Sequence, residues 1–160
     1  MKKKNLYIAI EIIDRELDGM MLLALEAINS GFLVYFCSRQ ELLMVIEDLQ
    51  QGVLIYKSAS LIDEVFLGAF KRRGHGVVCL DAEGLVQHDF RLFARHRVTA
   101  NNLKTLDYYF TWGEDNYNDK SFPAKIIPIG NLKTSSKKIS KRKLRVKRIL
   151  LLTVEHPRHS

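Results

Sequence analysis

The chain has 160 residues, 47% of them hydrophobic, and a formal net charge of +7. That length suits one domain of ordinary size with a sizeable core. Two cysteines, Cys37 and Cys79, are too few for a disulfide scaffold, and each sits inside an apolar run, so both read as small core residues of a reduced, cytoplasmic protein.

The first segment, "MKKKNLYIAIEIIDRELD", starts basic and turns apolar as a signal peptide does. Glu11 and Asp14 break the run before an h-region of about 15 residues accumulates. No later stretch approaches the roughly 20 apolar residues of a membrane-spanning helix. The expected protein is soluble and cytoplasmic, with room for a peripheral place on the inner face of a membrane.

"NLYIAIEI" is a strand candidate, rich in β-branched and aromatic residues and too apolar for an edge with one wet face. Asp14 is placed to cap the helix that follows, in which Leu17, Met20, Met21, Ala24, Ala27 and Ile28 recur at helical spacing before Gly31 stops it. "FLVYFCS" reads as a second buried strand, and "RQELLMVIEDLQQG" as a helix capped by Ser38 and closed by Gly52. "VLIYK" is a third strand, followed by a helix from about Ser60 to Arg73 that ends at Gly74. "GVVCLD", "DYYFTWG" and "AKIIPIG" complete a set of about six strands, with short or irregular helices between them. Alternation of this kind predicts an α/β domain over residues 1–132, with a doubly wound, Rossmann-like and mainly parallel sheet.

The basic charge belongs to one segment. Residues 133–148 hold nine Lys or Arg and no acid; setting aside Glu155 and Arg158 leaves 15 basic and 17 acidic residues in positions 1–132, a net of about −2. The segment "KTSSKKISKRKLRVKR" reads as a flexible linker, with an anionic membrane surface as a possible partner. It has no aromatic residue to stack on bases, which speaks against nucleic acid. The apolar run Ile149 to Val154 then reads as the first strand of a second domain over 149–160 that would continue beyond this sequence.

An open parallel sheet binds ligands beyond the carboxyl ends of its strands. Four of those ends carry residues that a core does not need: Glu11, Asp14, Arg15, Glu16 and Asp18 after the first; Asp81, Glu83 and Gly84 after the fourth; Trp112, Gly113 and Glu114 after the fifth; Gly130 and Asn131 after the sixth. Glu11 stands out because it interrupts an apolar strand, where an unpaired carboxylate is costly to bury, and Arg15 is a candidate partner. The bland alternatives are a helix cap for Asp14, ordinary first-turn charges for Arg15 and Glu16, and turn residues for Asp81, Glu83, Gly84, Gly113 and Gly130.

The usual catalytic signatures are mostly absent. There is no G-x-G-x-x-G after the first strand, no Walker-type phosphate loop and no G-x-S-x-G elbow. The five histidines lack metal-ligand spacing, so no metal is expected. A response-regulator receiver would need an aspartate at the end of the third strand, where this chain has Lys57.

The runs "YIAIEIIDRELDGMMLLALEAINSGF", "HGVVCLDAEGLV", "LDYYFTWGE" and "KIIPIGN", in that order, resemble the N-terminal half of bacterial surface carbohydrate biosynthesis proteins. That family is related to GT-B glycosyltransferases, including transferases of Kdo (3-deoxy-manno-octulosonic acid). The resemblance spans about residues 5–131. It implies the N-terminal, acceptor-side domain of a GT-B fold, a basic linker, and a second Rossmann-like domain that would hold most of a nucleotide-sugar donor, with no other cofactor. Carried over by position, Glu11, Arg15, Glu16, Asp81, Glu83, Gly84, Trp112, Gly113, Gly130 and Asn131 would face the interdomain cleft and a carbohydrate or glycolipid acceptor. A transferase must orient an acceptor hydroxyl and take its proton. Glu11, Glu16 and Glu83 are the candidate bases, provided burial or a neighbouring carboxylate raises a pKa, and Arg15 would bind an anionic group of the acceptor. The resemblance implies a chain inactive without its donor half. Two other classes stay open: a non-catalytic sugar- or protein-binding module docked on anionic membrane through residues 133–148, and a fragment like a sugar-nucleotide epimerase.

Overall fold

The structure, a computed structural model, describes residues 4–81, 99–113 and 125–130, together with the backbone of Leu150 and Leu151. Glu83, Gly84 and Asn131, and the whole basic segment 133–148, lie outside the described residues.

Strand β1 (Lys4–Ala9) leads into α1 (Ile13–Asn29), β2 (Phe32–Cys37), α2 (Arg39–Met44) and β3 (Gly52–Tyr56). A 3-10 turn (Leu61–Asp63) opens α3 (Glu64–Arg72), which is followed by β4 (Gly76–Leu80), α4 (Ala100–Thr105), β5 (Tyr108–Thr111), β6 (Lys125–Pro128) and β7 (Leu150–Leu151). The strands form one sheet in the order β6-β5-β4-β3-β1-β2-β7, and every neighbouring pair is parallel. The fold is therefore the doubly wound, Rossmann-like α/β arrangement that the alternating pattern predicts. The six expected strands are all present, and Leu150–Leu151 adds a short seventh beside Tyr35 and Phe36 of β2.

The chain moves outward from β1 to β2, then jumps back past β1 to β3 and continues to β6. Right-handed crossovers in opposite directions put helices on opposite faces. The two cores record this by strict alternation. Tyr7, Ala9, Leu54, Tyr56, Val77 and Cys79 point to the side of Phe66, Leu67, Phe70 and Leu103 from α3 and α4. Leu6, Ile8, Ile55, Val78 and Leu80 point to the side of Met20 and Ala24 from α1. Each large side chain buried this way contributes about 1.5–3 kcal/mol. Cys37 and Cys79 are buried and unpaired, as expected of core residues.

Several local readings need correction. Asp14 does not cap α1: the cap position is Ile12, without a side-chain bond, and Asp14 lies inside the first turn. The carboxylate that serves this helix start is Glu16, whose Oε2 accepts from the Glu11 amide at 3.1 Å. Glu11 is not inside β1, which ends at Ala9, and its side chain is 33% exposed, so it is only partly buried. Ser38 does cap α2, with Glu41 closing a reciprocal box, but α2 stops at Met44. Gly52 opens β3 rather than closing the helix, because a Cβ there would lie 2.5 Å from the backbone oxygen of Asn5 across the β1–β3 pair. No helix among the described residues is long and apolar enough to cross a membrane.

Candidate functional site

In a doubly wound sheet with the order 2-1-3-4-5, the switch point lies between β1 and β3, and the crevice at their carboxyl ends is the expected ligand site. Here that crevice is built from charge. Glu11, two residues beyond β1, accepts from the Tyr56 hydroxyl through Oε1 at 2.5 Å and from Lys57 through Oε2 at 2.7 Å. Tyr56 and Lys57 are the last residue of β3 and the one that follows it. Lys57 also reaches Glu16 Oε1 at 3.0 Å, and Arg15 reaches the same oxygen at 3.4 Å.

Burial decides what each carboxylate can do. The Glu16 side chain is 3% exposed, and its two oxygens accept from the Glu11 amide, Lys57 and Arg15. It braces the start of α1 against the end of β3. The Glu11 side chain is 33% exposed and reaches the crevice. Burial pushes the Glu11 carboxyl up, but the hydrogen bonds from Lys57 and Tyr56 and the charges of Lys57 and Arg39 outweigh it, so its pKa is lowered. Burial pulls Lys57 down, and its bonds to Glu11 and Glu16 reverse that, leaving it raised and cationic. The Tyr56 phenol is pushed far up by burial and by its bond to Glu11, which keeps its proton on as a donor. Glu11 is thus an ionised hydrogen-bond acceptor at neutral pH. A general base needs the opposite shift.

Beside Glu11 opens a cleft of about 420 Å³ lined by Ile10, Glu11, Ser38, Arg39, Gln40 and Leu43, between the ends of β1 and β2 and the first turn of α2. Its volume falls within the roughly 300–1,000 Å³ of small-molecule sites. Arg39 is fixed on its far side by Asp63 Oδ1 at 3.2 Å and by the Ile62 carbonyl at 2.7 Å, with its guanidinium 5.4 Å from the Phe66 ring. Asp63 is 1% exposed, and its Oδ2 accepts from Ser58 Oγ, the Ser60 amide and Ser60 Oγ at 2.6–3.0 Å. The buried Asn102 side-chain amide donates to the carbonyls of Ala59 and Ser60 and holds the same loop.

The remaining expected positions form a second group. Trp112 Nε1 donates to the Asp81 carbonyl at 2.6 Å, Thr111 Oγ1 donates to the Gly113 carbonyl at 3.1 Å, and the Ile129 amide donates to the Thr111 carbonyl at 2.9 Å. Gly130, at φ 77°, turns the chain in a conformation other residues rarely adopt. These contacts fasten the ends of β4, β5 and β6 to one another. All the described candidates share the carboxyl rim, as parallel strands require, but only Glu11, Arg15 and Glu16 meet at the switch point. Asp81, Trp112, Gly113 and Gly130 lie further along it, beyond β3.

Four residues at the crevice escaped the sequence reading: Arg39, Tyr56, Lys57 and Asp63. The available signal was Lys57, a cation ending a buried apolar strand. Glu11 was expected to pair with Arg15, yet its partner is Lys57, 46 positions along the chain. Among the described residues no group of three or more His, Cys, Asp or Glu is placed to hold a metal ion.

These features define a doubly wound, Rossmann-like α/β domain with a charged crevice at its switch point. Comparison with protein-family models, with curated proteins and with solved structures finds no match to the chain.

Proposed function

We propose that this domain forms the acceptor side of a GT-B-type, glycosyltransferase-like cleft in bacterial surface polysaccharide biosynthesis, and that the cleft beyond β1 and β2, beside the β1/β3 switch point, holds a carbohydrate. The observation that supports this most is the placement of Glu11: an ionised carboxylate beyond β1, braced by Tyr56 and Lys57 at the end of β3, and lining an open cleft. A carboxylate held in this way orients a sugar hydroxyl by accepting its hydrogen bond. Removal of the hydroxyl proton then falls to a group other than Glu11, because its own proton affinity is reduced. Glu16 holds the brace in place. The nucleotide-sugar donor would be held by a second α/β unit after the basic segment, as the resemblance in sequence implies.

The test is saturation-transfer NMR with surface-polysaccharide oligosaccharides, on the native chain and on Glu11→Ala. The expected result is transfer to the sugar protons in the native chain and its loss in the variant, with thermal unfolding within a few degrees. No transfer in the native chain, or equal transfer in both, contradicts the proposal.

A further inference from the structure

The charges around the crevice discriminate among carbohydrates. Among the described residues, each cation at the crevice is engaged by a carboxylate: Lys57 by Glu11 and Glu16, Arg39 by Asp63, and Arg15 by Glu16. Glu41, whose carboxylate accepts from the amide of the cleft residue Ser38, adds negative charge beside the same cleft. The start of α1 has no side-chain cap and would ordinarily attract an anion, but its first turn carries Asp14 and Glu16, which meet that partial charge. An anionic ligand would have to displace a carboxylate from Lys57 or Arg39 and would face Glu11 while doing so. A hydroxyl group meets no such cost, since Glu11 has lone pairs to accept with and Ser38 and Gln40 supply further polar atoms. Ile10 and Leu43 offer apolar surface for the C–H face of a pyranose ring.

We infer that the crevice selects a neutral, hydroxyl-rich sugar unit and rejects sugar acids and sugar phosphates, with Glu11 as both the hydroxyl acceptor and the element that repels anions. This rests on the carbohydrate reading of the site and narrows it. It also reverses the role expected for Arg15, which is tied to Glu16 rather than presented to an anionic group. Selection by like-charge repulsion is a recognised route to specificity, because the rejected ligand brings a charge up to Glu11 where every crevice cation among the described residues is already paired.

The experiment is an amide chemical-shift titration of the labelled full chain at pH 7 and low salt. The neutral probes are methyl glucoside, methyl galactoside and methyl mannoside, and the charged probes are glucuronate and glucose 6-phosphate. The neutral glycosides are expected to shift the amides of Ile10, Glu11, Ser38, Arg39 and Gln40, and to bind on the order of tenfold more tightly than either charged probe. In Glu11→Gln, which removes the repelling charge and releases Lys57, the charged probes should gain affinity and the preference should shrink or invert. Tighter binding of the charged probes to the native chain would overturn the neutral preference and leave the carbohydrate reading standing. An unchanged preference in Glu11→Gln would overturn the role of Glu11. Absence of shifts with every probe would overturn the inference together with the reading on which it rests.

Discussion

Lys57 gives Glu11 its chemistry. A carboxylate at 33% exposure, alone on a loop, would be an ordinary solvated acid; the ammonium 2.7 Å away and the phenol 2.5 Å away hold it ionised and in one orientation. Replacing Lys57 by Met removes the hydrogen bond and the charge that lower the Glu11 pKa and leaves the burial that raises it. The Glu11 side-chain carboxyl, followed by carbon-13 NMR, should therefore titrate at a higher pH in the variant, and an equal or lower midpoint would contradict the brace. A second ionisable residue acts at the opposite rim. His75 Nδ1 accepts from the Gly52 amide at 3.2 Å, and its ring packs against Tyr7 and Phe70. Burial, with the nearby Arg73 charge, pulls its pKa down, so the unfolded chain takes up the proton first as pH falls. The stability that neutral His75 contributes is complete above its ordinary value of about 6.5 and is lost as pH drops below it. Urea unfolding at pH 7.5 and 5.5 should show this loss in the native chain and a smaller one in His75→Gln. Glu11 was legible in the sequence because a carboxylate among apolar residues demands an explanation. Lys57 was not, because its significance depends on which strand lies next to β1.

At the scale of elements, the short helix α2 shows how local chemistry and tertiary demand divide the work. Its start is written in four letters: Ser38 accepts from the Glu41 amide at 3.1 Å, and Glu41 accepts from the Ser38 amide at 2.8 Å. Its end is not, since the apolar spacing of Leu42, Val45, Ile46 and Leu49 would carry a helix further. The chain must instead turn after Met44 so that Gly52 can lie against Asn5 of β1, where no side chain fits. Ile46 and Leu49 still reach the core from the turn that follows, which explains why the periodicity misled. Ser38→Ala should cost about 1 kcal/mol by loss of the cap. Chemical denaturation would read this as a lower midpoint at unchanged slope. Because Ser38 also lines the cleft, weaker sugar binding should accompany that loss. A variant as stable as the native chain would show that α2 is held by packing alone.

Across the whole molecule, the alternation of strand and helix patterns was enough to read a parallel, doubly wound sheet, while the strand order was not. Nothing in "VLIYK" says that it pairs with β1 rather than β2, and that single pairing creates the switch point and brings Lys57 to Glu11. The expectation that all the rim residues form one site followed from parallel strands without an order. With the order known, the rim divides into the crevice at β1 and β3 and the fastened ends of β4, β5 and β6. The proposed carbohydrate site is the first of these. It is tested most directly by an amide chemical-shift map of the labelled chain titrated with methyl glucoside, methyl galactoside and methyl mannoside. The largest changes are expected on Ile10 to Glu16, Ser38 to Gln40 and Tyr56 to Ser58, and they are expected to vanish in Glu11→Ala. Changes centred on Asp81, Trp112, Gly113 and Gly130, with the switch point and the cleft beside it silent, would contradict it.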